Sequence, residues 1–327
     1  MEKTGIAVAG CLIADLYCEI DTYPRQGMLT NIRATHGSVG GTGNLIVDLA
    51  RLDATLPVRV SGLVGEDDSG KMILDTLSQY PNIDLRNVTR QGQSSVDYVM
   101  EPRDTKQRTF FYHAGASDLY DASYLDWAAV DAKIFHLEYL LLMARVDAAD
   151  AEYGTHGARI LHDAQARGML TSVDMVSEQS ERVPRVVKAA LPYVDYCTIN
   201  ELEASAVTGI AVVDEVTARA ALACLRSAGV RRWAVIHQAE CAYGLDCRTG
   251  EFAFCPSLHL PEGFIHGNTG AGDAYCSGIL YGAYTGLPLQ RAMAFAAAAA
   301  ACSLSGANST EGMRPAAQVW DVYSQYQ

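Results

Sequence analysis

An α/β fold built on a mostly parallel sheet is what this sequence predicts, and three features predict it. Short apolar runs alternate along the chain with longer stretches of helical periodicity, the rhythm of βα units. Glycine-rich turns stand immediately before two of the helices, at residues 37–43 and 270–272. The length of 327 residues, 49% of them hydrophobic and 19% charged, suits one large domain with a buried core.

The elements follow in order. Residues 5–13 read as a strand ending at Asp15, 41–52 as a helix, and 58–64 as a strand leading to a helix over about 69–79. A buried strand at 134–137 precedes a long helix through 147–167. Three further strands, 170–174, 196–199 and 233–236, each have a helix before or after them, and helices at 272–284 and 289–305 close the chain. Two segments break the rhythm. Residues 17–34 and 94–113 alternate like strands with no helix between, and their simplest use is a small β-sheet lid projecting from the main domain. No repeat or linker divides the chain, so 1–327 reads as a single domain.

Charge and cysteine usage narrow the function. A net charge of -13 argues against a role that leans on nucleic-acid phosphates or on an anionic membrane surface. It does not exclude ATP, because backbone N–H groups and Mg²⁺ hold phosphates with few lysines. The nine cysteines are scattered with no C-x-x-C pair, the pattern of reduced, buried thiols in a cytoplasmic protein. Val8-Ala9-Gly10-Cys11 resembles a lipoprotein cleavage box, but the apolar stretch before it is too short for a signal segment. The longest apolar run, 292–304, is too short to span a bilayer. Glycosylation triplets at Asn87 and Asn308 carry no meaning without secretion.

The strongest motif is Asn268-Thr269-Gly270-Ala271-Gly272-Asp273 at the start of a helix. Small residues there let backbone N–H groups approach an anion, and the helix dipole favours negative charge. Asp273 would stand at the pocket edge, where a carboxylate can accept a hydroxyl proton while the N–H groups stabilise a transferring phosphoryl. The competing reading is an ordinary first-turn Asp. Gly37-Ser38-Val39-Gly40-Gly41-Thr42-Gly43-Asn44 precedes another helix; Asn44 can donate and accept to sugar hydroxyls, or simply sit in a helical first turn. It is no dinucleotide fingerprint, since no apolar strand leads into it. Asn200 and Glu203 share a helix face; they suit water around Mg²⁺ and equally a near-variant of the capping box. Residues 65–72 are a near-miss for a phosphate-binding loop. Met72 has no hydroxyl for Mg²⁺, and three acidic residues would repel phosphates, so a helix-initiating loop is the better reading. The eight histidines show no metal spacing.

Taken in order, these fragments resemble the ribokinase-like (PfkB) carbohydrate kinase family over nearly the whole chain. Asp15, the Gly40-Gly41 pair with Asn44, the 65–70 helix start, Glu138, Asn200 with Glu203, and Gly270-Ala271-Gly272-Asp273 match the family's motifs. The resemblance implies a three-layer α/β/α Rossmann-like sandwich with a β-sheet lid. It implies a kinase moving the γ-phosphate of ATP to a hydroxyl of a small sugar, sugar acid or polyol. Asp273 would be the general base, with Gly270, Ala271 and Gly272 as the anion hole. Asp15, Gly40, Gly41, Asn44, Glu138 and Arg108 would hold the acceptor. Asn200, Glu203, Thr269 and Asn308 would serve ATP and Mg²⁺, the metal being held by Glu203 through water. A homodimer joined through the lids is the implied assembly. Two departures stand out. Gly267 and Asn268 replace an Asp-Thr that often helps bind a monovalent cation, which puts potassium dependence in question. His237-Gln238-Ala239 replaces a Thr-x-Gly turn near the nucleotide. These departures keep open a ligand-binding or regulatory protein on the same scaffold, and a nucleoside kinase is the nearest variant. A nicotinamide dehydrogenase is disfavoured for want of a strand–GxGxxG–helix unit.

Overall fold

The structure is a computed structural model that describes residues 3–105, 107–267 and 269–327. The chain begins with β1 (Ile6–Ile20), β2 (Ile32–Gly41), α1 (Thr42–Leu52), β3 (Val58–Val64), α2 (Asp68–Leu77) and β4 (Ile83–Arg90). It continues through β5 (Ser95–Pro102), β6 (Thr109–His113), β7 (Ile134–Leu140) and α3 (Ala144–Asp147). A two-residue-per-strand hairpin, β8 (Ala149–Asp150) and β9 (Gly154–Thr155), leads to α4 (His156–Ala166), β10 (Leu170–Met175) and α5 (Val183–Ala190). Then come β11 (Tyr196–Asn200), α6 (Glu201–Thr208), α7 (Glu215–Ser227), β12 (Trp233–His237), β13 (Cys241–Asp246) and β14 (Phe252–Pro256). Helices α8 (Ala271–Thr285), α9 (Leu289–Leu304) and α10 (Ala316–Tyr326) complete the fold.

The main sheet has the order β14-β13-β12-β11-β10-β7-β1-β3-β4. It is parallel from β4 to β12, and antiparallel only where β13 pairs with β12 and β14. Alternation along β1 shows why both faces must be covered: Ala7, Ala9 and Cys11 enter one apolar cluster, Ile6, Val8 and Leu12 the other. Helices α4 to α7 cover the first face through Leu161, Val187, Ala204 and Leu222. Helices α1, α2, α8 and α9 cover the second through Leu45, Ile73, Ile279 and Met293. The three-layer sandwich is as expected.

The small sheet is not separate from the main one. Strand β1 pairs with β3 and β7 over its first half, then runs on to pair with β2 on one side and β5 on the other, and β6 adds to β5. The strand expected to end at Asp15 therefore continues to Ile20. The long helix expected through 147–167 is broken at β8–β9. Gly154 there has φ 84, and Thr155 caps α4 by accepting the Ala158 N–H at 3.1 Å. Strands β4, β13 and β14 and helix α10 were not expected. The 65–70 segment is a helix start, as read: Asp67 accepts from the Gly70 N–H and from Ser94. Among the described residues no disulfide forms, and no helix is long and apolar enough to cross a membrane.

Candidate active site

The site gathers at the C-terminal ends of the parallel strands, where the glycine turns bring α1 and α8 together. Gly270 takes φ 82, and a Cβ there would collide with Ser309, so only glycine starts α8 at this spot. The first α8 bond to Gly270 runs from the Ala274 N–H at 2.9 Å, leaving the N–H groups of Ala271, Gly272 and Asp273 at the positive helix end. Asp273 lies in this first turn. Its Oδ2 accepts from Asn44 Nδ2 at 2.9 Å and its Oδ1 from the Tyr139 hydroxyl. Burial raises the Asp273 carboxyl above the usual carboxylate range, while these two hydrogen bonds and nearby His136 oppose the rise. Asn44 is held in turn, its Oδ1 accepting from Ser309 Oγ at 2.7 Å. Expected at acceptor hydroxyls, it has one amide proton left after the bond to Asp273.

Asp15 rests against Gly40, where any Cβ would collide with its carboxylate. Burial, then Asp97, then Asp273 push the Asp15 carboxyl up to about 7. Glu138 is wholly buried, with Oε2 2.7 Å from His136 Nε2. Burial and Asp273 raise Glu138 well above a normal glutamate, and burial pushes His136 down to about 3. Burial thus disfavours the charged form of each partner; Glu138 Oε1 is left without a partner. Arg108, expected at the acceptor, already has protein partners. Its guanidinium pairs with Glu101 at 3.0 Å, donates to the Thr269 hydroxyl and lies over the Tyr17 ring, so it ties the small sheet to the turn before α8.

On the other side of α8 a cavity of about 530 Å³ is lined by Asn200, His237, Gln238, Ala271, Gly272 and Tyr275, among others. His237 stacks on Tyr275 with ring centroids 5.0 Å apart, and burial holds its imidazole down to about 4, hence neutral. Asn200 and Glu203 form a complete capping box on α6, with Asn200 Oδ1 accepting the Glu203 N–H at 2.8 Å and Glu203 Oε2 accepting the Asn200 N–H at 2.9 Å. Glu203 Oε1 also accepts from Ser177 Oγ at 2.8 Å. Burial pushes the Glu203 carboxyl to about 7, and it raises neighbouring Asp174 in turn. Among the described residues no three metal-ligating side chains converge. Two repelling carboxylates nevertheless fit Mg²⁺ in its usual manner, since that ion keeps several waters and takes most of its protein-side charge from one or two carboxylates.

Asn308 turns back on its own loop, accepting from the N–H groups of Thr310 and Glu311; Ser309 beside it is what this loop contributes. Asn268 lies outside the described residues. Reading the sequence missed Tyr139, Ser309 and Asp97, for no motif assigns them a role; Tyr139 adjoins Glu138 and Ser309 adjoins Asn308, both already singled out.

Known proteins share this architecture. Residues 3–316 match the family described as pfkB family carbohydrate kinase. The bifunctional protein HldE of Wolinella succinogenes is 25% identical over 320 residues, 94% of this chain; the chain spans 63% of that relative's length. Arabidopsis thaliana ribokinase, solved with ribose and ATP, superposes with a TM-score of 0.81 at 19% identity, covering 98% of this chain and 99% of its own. Thermotoga maritima ribokinase gives 0.79 at 16% identity, with 98% and 99% covered. The Methanocaldococcus jannaschii nucleoside kinase gives 0.77 at 14%, with 99% and 100% covered. A match over all but the chain's ends, on a fold whose glycine turns and first-turn carboxylate stand as described, leads to one assignment: the chain belongs to the pfkB family of carbohydrate kinases.

Proposed function

We propose that the protein transfers the γ-phosphoryl of ATP to a hydroxyl of a small sugar or polyol, with Asp273 as the general base. One observation carries this reading. Asp273 is oriented by Asn44 and Tyr139 at the helix end that carries the free N–H groups, between Asp15 on one side and the cavity on the other. ATP would lie in that cavity, its adenine against the neutral His237–Tyr275 stack and its phosphates toward Ala271 and Gly272. The acceptor hydroxyl gives its proton to Asp273 as its oxygen attacks the γ-phosphorus in line, the bond to the β-phosphate oxygen breaks, and ADP leaves. The N–H groups of Ala271 and Gly272 stabilise the charge on the transferring group. Asp174 and Glu203 are the carboxylates that would hold Mg²⁺ through its water, and the ion when bound supplies charge neutralisation between the phosphates. Arg108, by joining the small sheet to Thr269, holds that sheet over the acceptor as a lid. Exposed Tyr98 and Phe111 on the sheet's other face suit pairing of two lids in a homodimer.

The test is ADP release with Mg²⁺-ATP against sugars, sugar acids, polyols and nucleosides, with and without potassium. Acceptor-dependent release is expected. In Asp273→Asn, kcat should fall on the order of 10²–10⁴-fold with acceptor binding nearly unchanged. Substantial turnover by that variant would remove Asp273 from the role of base.

A further inference from the structure

The small sheet carries a pair of carboxylates that its own stability does not explain. In the pairing of β1 with β5, Asp97 stands directly opposite Asp15; Ser38 of β2 is opposite Asp15 on the other flank. Side chains at partnered positions on neighbouring strands share a face about one strand spacing apart, roughly 4.8 Å, and like charges so placed repel. Neither carboxylate has a cation. Among the described residues, Asp97 and Asp15 take part in no ion pair, and Arg108, the cation that acts on Asp15, is committed to Glu101 and Thr269. Asp97 lies near the Phe111 backbone, and its Oδ1 is buried with no partner.

Two further polar groups in the same place are also unmatched. The hydroxyl of Tyr17, a residue 2% exposed, makes no hydrogen bond and lies close enough to Asp15 to act on its carboxyl. Ser38 Oγ is buried and unpartnered as well. Buried polar atoms normally find partners, so a cluster without them marks a place where a ligand supplies the missing atoms. What is missing here is donors: in their ionised form the two carboxylates only accept and need O–H groups, and the two hydroxyls can either give or take. Adjacent hydroxyls of an uncharged sugar or polyol meet that demand. A carboxylate on the acceptor would add a third negative charge beside Asp15 and Asp97, with no free cation to meet it.

We propose that Asp97 and Asp15 form a two-carboxylate clasp that holds adjacent hydroxyls of an uncharged acceptor and turns away acids, making Asp97 a specificity-determining residue. This rests on the phosphotransfer reading above and narrows its acceptor class.

The test uses matched probes, four- to six-carbon aldoses, the corresponding alditols and the corresponding aldonates. Calorimetric binding without ATP is run beside ADP release, on wild type and on Asp97→Asn. Wild type should bind at least one aldose or alditol at least a hundredfold more tightly than its aldonate. Asp97→Asn should weaken that neutral ligand roughly ten- to hundredfold, the loss of a hydrogen bond to a charged group, and narrow the gap to the aldonate. The variant's ligand-free thermal midpoint should hold or rise, since a repulsion has been removed, and this shows that weaker binding is not misfolding. Equal handling of aldose and aldonate by wild type, neutral binding within twofold in Asp97→Asn, or no neutral ligand bound at all would overturn the clasp. The two readings separate cleanly. Tight neutral binding without ADP release removes phosphotransfer and keeps the clasp, whereas ADP release with aldonates keeps phosphotransfer and removes the clasp.

Discussion

Asp48 on α1 faces none of the groups that would balance a charge. It is wholly buried, both carboxylate oxygens lack partners, and the only cation acting on it is Arg51, whose Nη1 is given to the Thr310 carbonyl at 2.7 Å. Burial, with Asp273 and Glu138 adding to it, holds Asp48 well above its ordinary 3.8. The folded chain thus keeps a proton that the unfolded chain releases, so stability is fullest below about pH 4 and declines as pH rises toward the folded value. Urea unfolding of Asp48→Asn at pH 5 and pH 8 should show a smaller loss across that interval than wild type, and higher stability at pH 8. A wild-type curve no steeper than the variant's would mean that Asp48 is solvated.

At the scale of elements, Arg108 is the tether between the small sheet and the turn before α8. Arg108→Ala should lower kcat/KM by about tenfold, the worth of a hydrogen bond to a charged group. It should also raise ATP hydrolysis relative to phosphorylated acceptor, which a count of ADP against product reads directly; an unchanged ratio would show that the tether does not exclude water. The main elements were legible because each is an apolar stretch of fitting length, with a glycine-rich turn before α1 and α8: β3 was placed to its ends, and α1 and α8 to within a residue or two. Strand β13 was not. Its residues are all buried, as nearly all of β3's are, but Gly244 in its middle reads as a breaker although it is the gap into which Met293 packs. The break before α4 had a signal, Gly154-Thr155, that helical periodicity on either side outweighed. The site divides the same way. Asp273 and Asn44 each sit in a motif, but the hydrogen bond between them spans 229 positions, and no local pattern encodes it. Asn200 and Glu203 were seen and both their readings stated; the capping box is the one built into the fold.

For the molecule as a whole, the small sheet leaves Tyr98 and Phe111 paired across β5 and β6, 44% and 49% exposed, and Leu29 and Met28 in the loop after β1 are more open still. A second copy covering this face would need about 1,000 Å² to be stable. Light scattering should give a dimer for wild type and a monomer for Tyr98→Ser/Phe111→Ser, with the fold intact by circular dichroism; a wild-type monomer at micromolar concentration would refute the pairing.

One strand governs how that small sheet can move. Because β1 passes without interruption from the middle of the main sheet into the middle of the small one, no flexible hinge lies between the two. Opening has to be a torsion of β1 itself, opposed by every hydrogen bond along it. The neighbouring Gly40-Gly41 return, where α1 begins and Gly41 takes φ 56, shares that torsion. Asp15 and Asn44 lie on either side of this pivot. A turn of the sheet therefore acts as a lever: under the phosphotransfer proposed above, loading the acceptor and aiming Asp273 become one mechanical event instead of two.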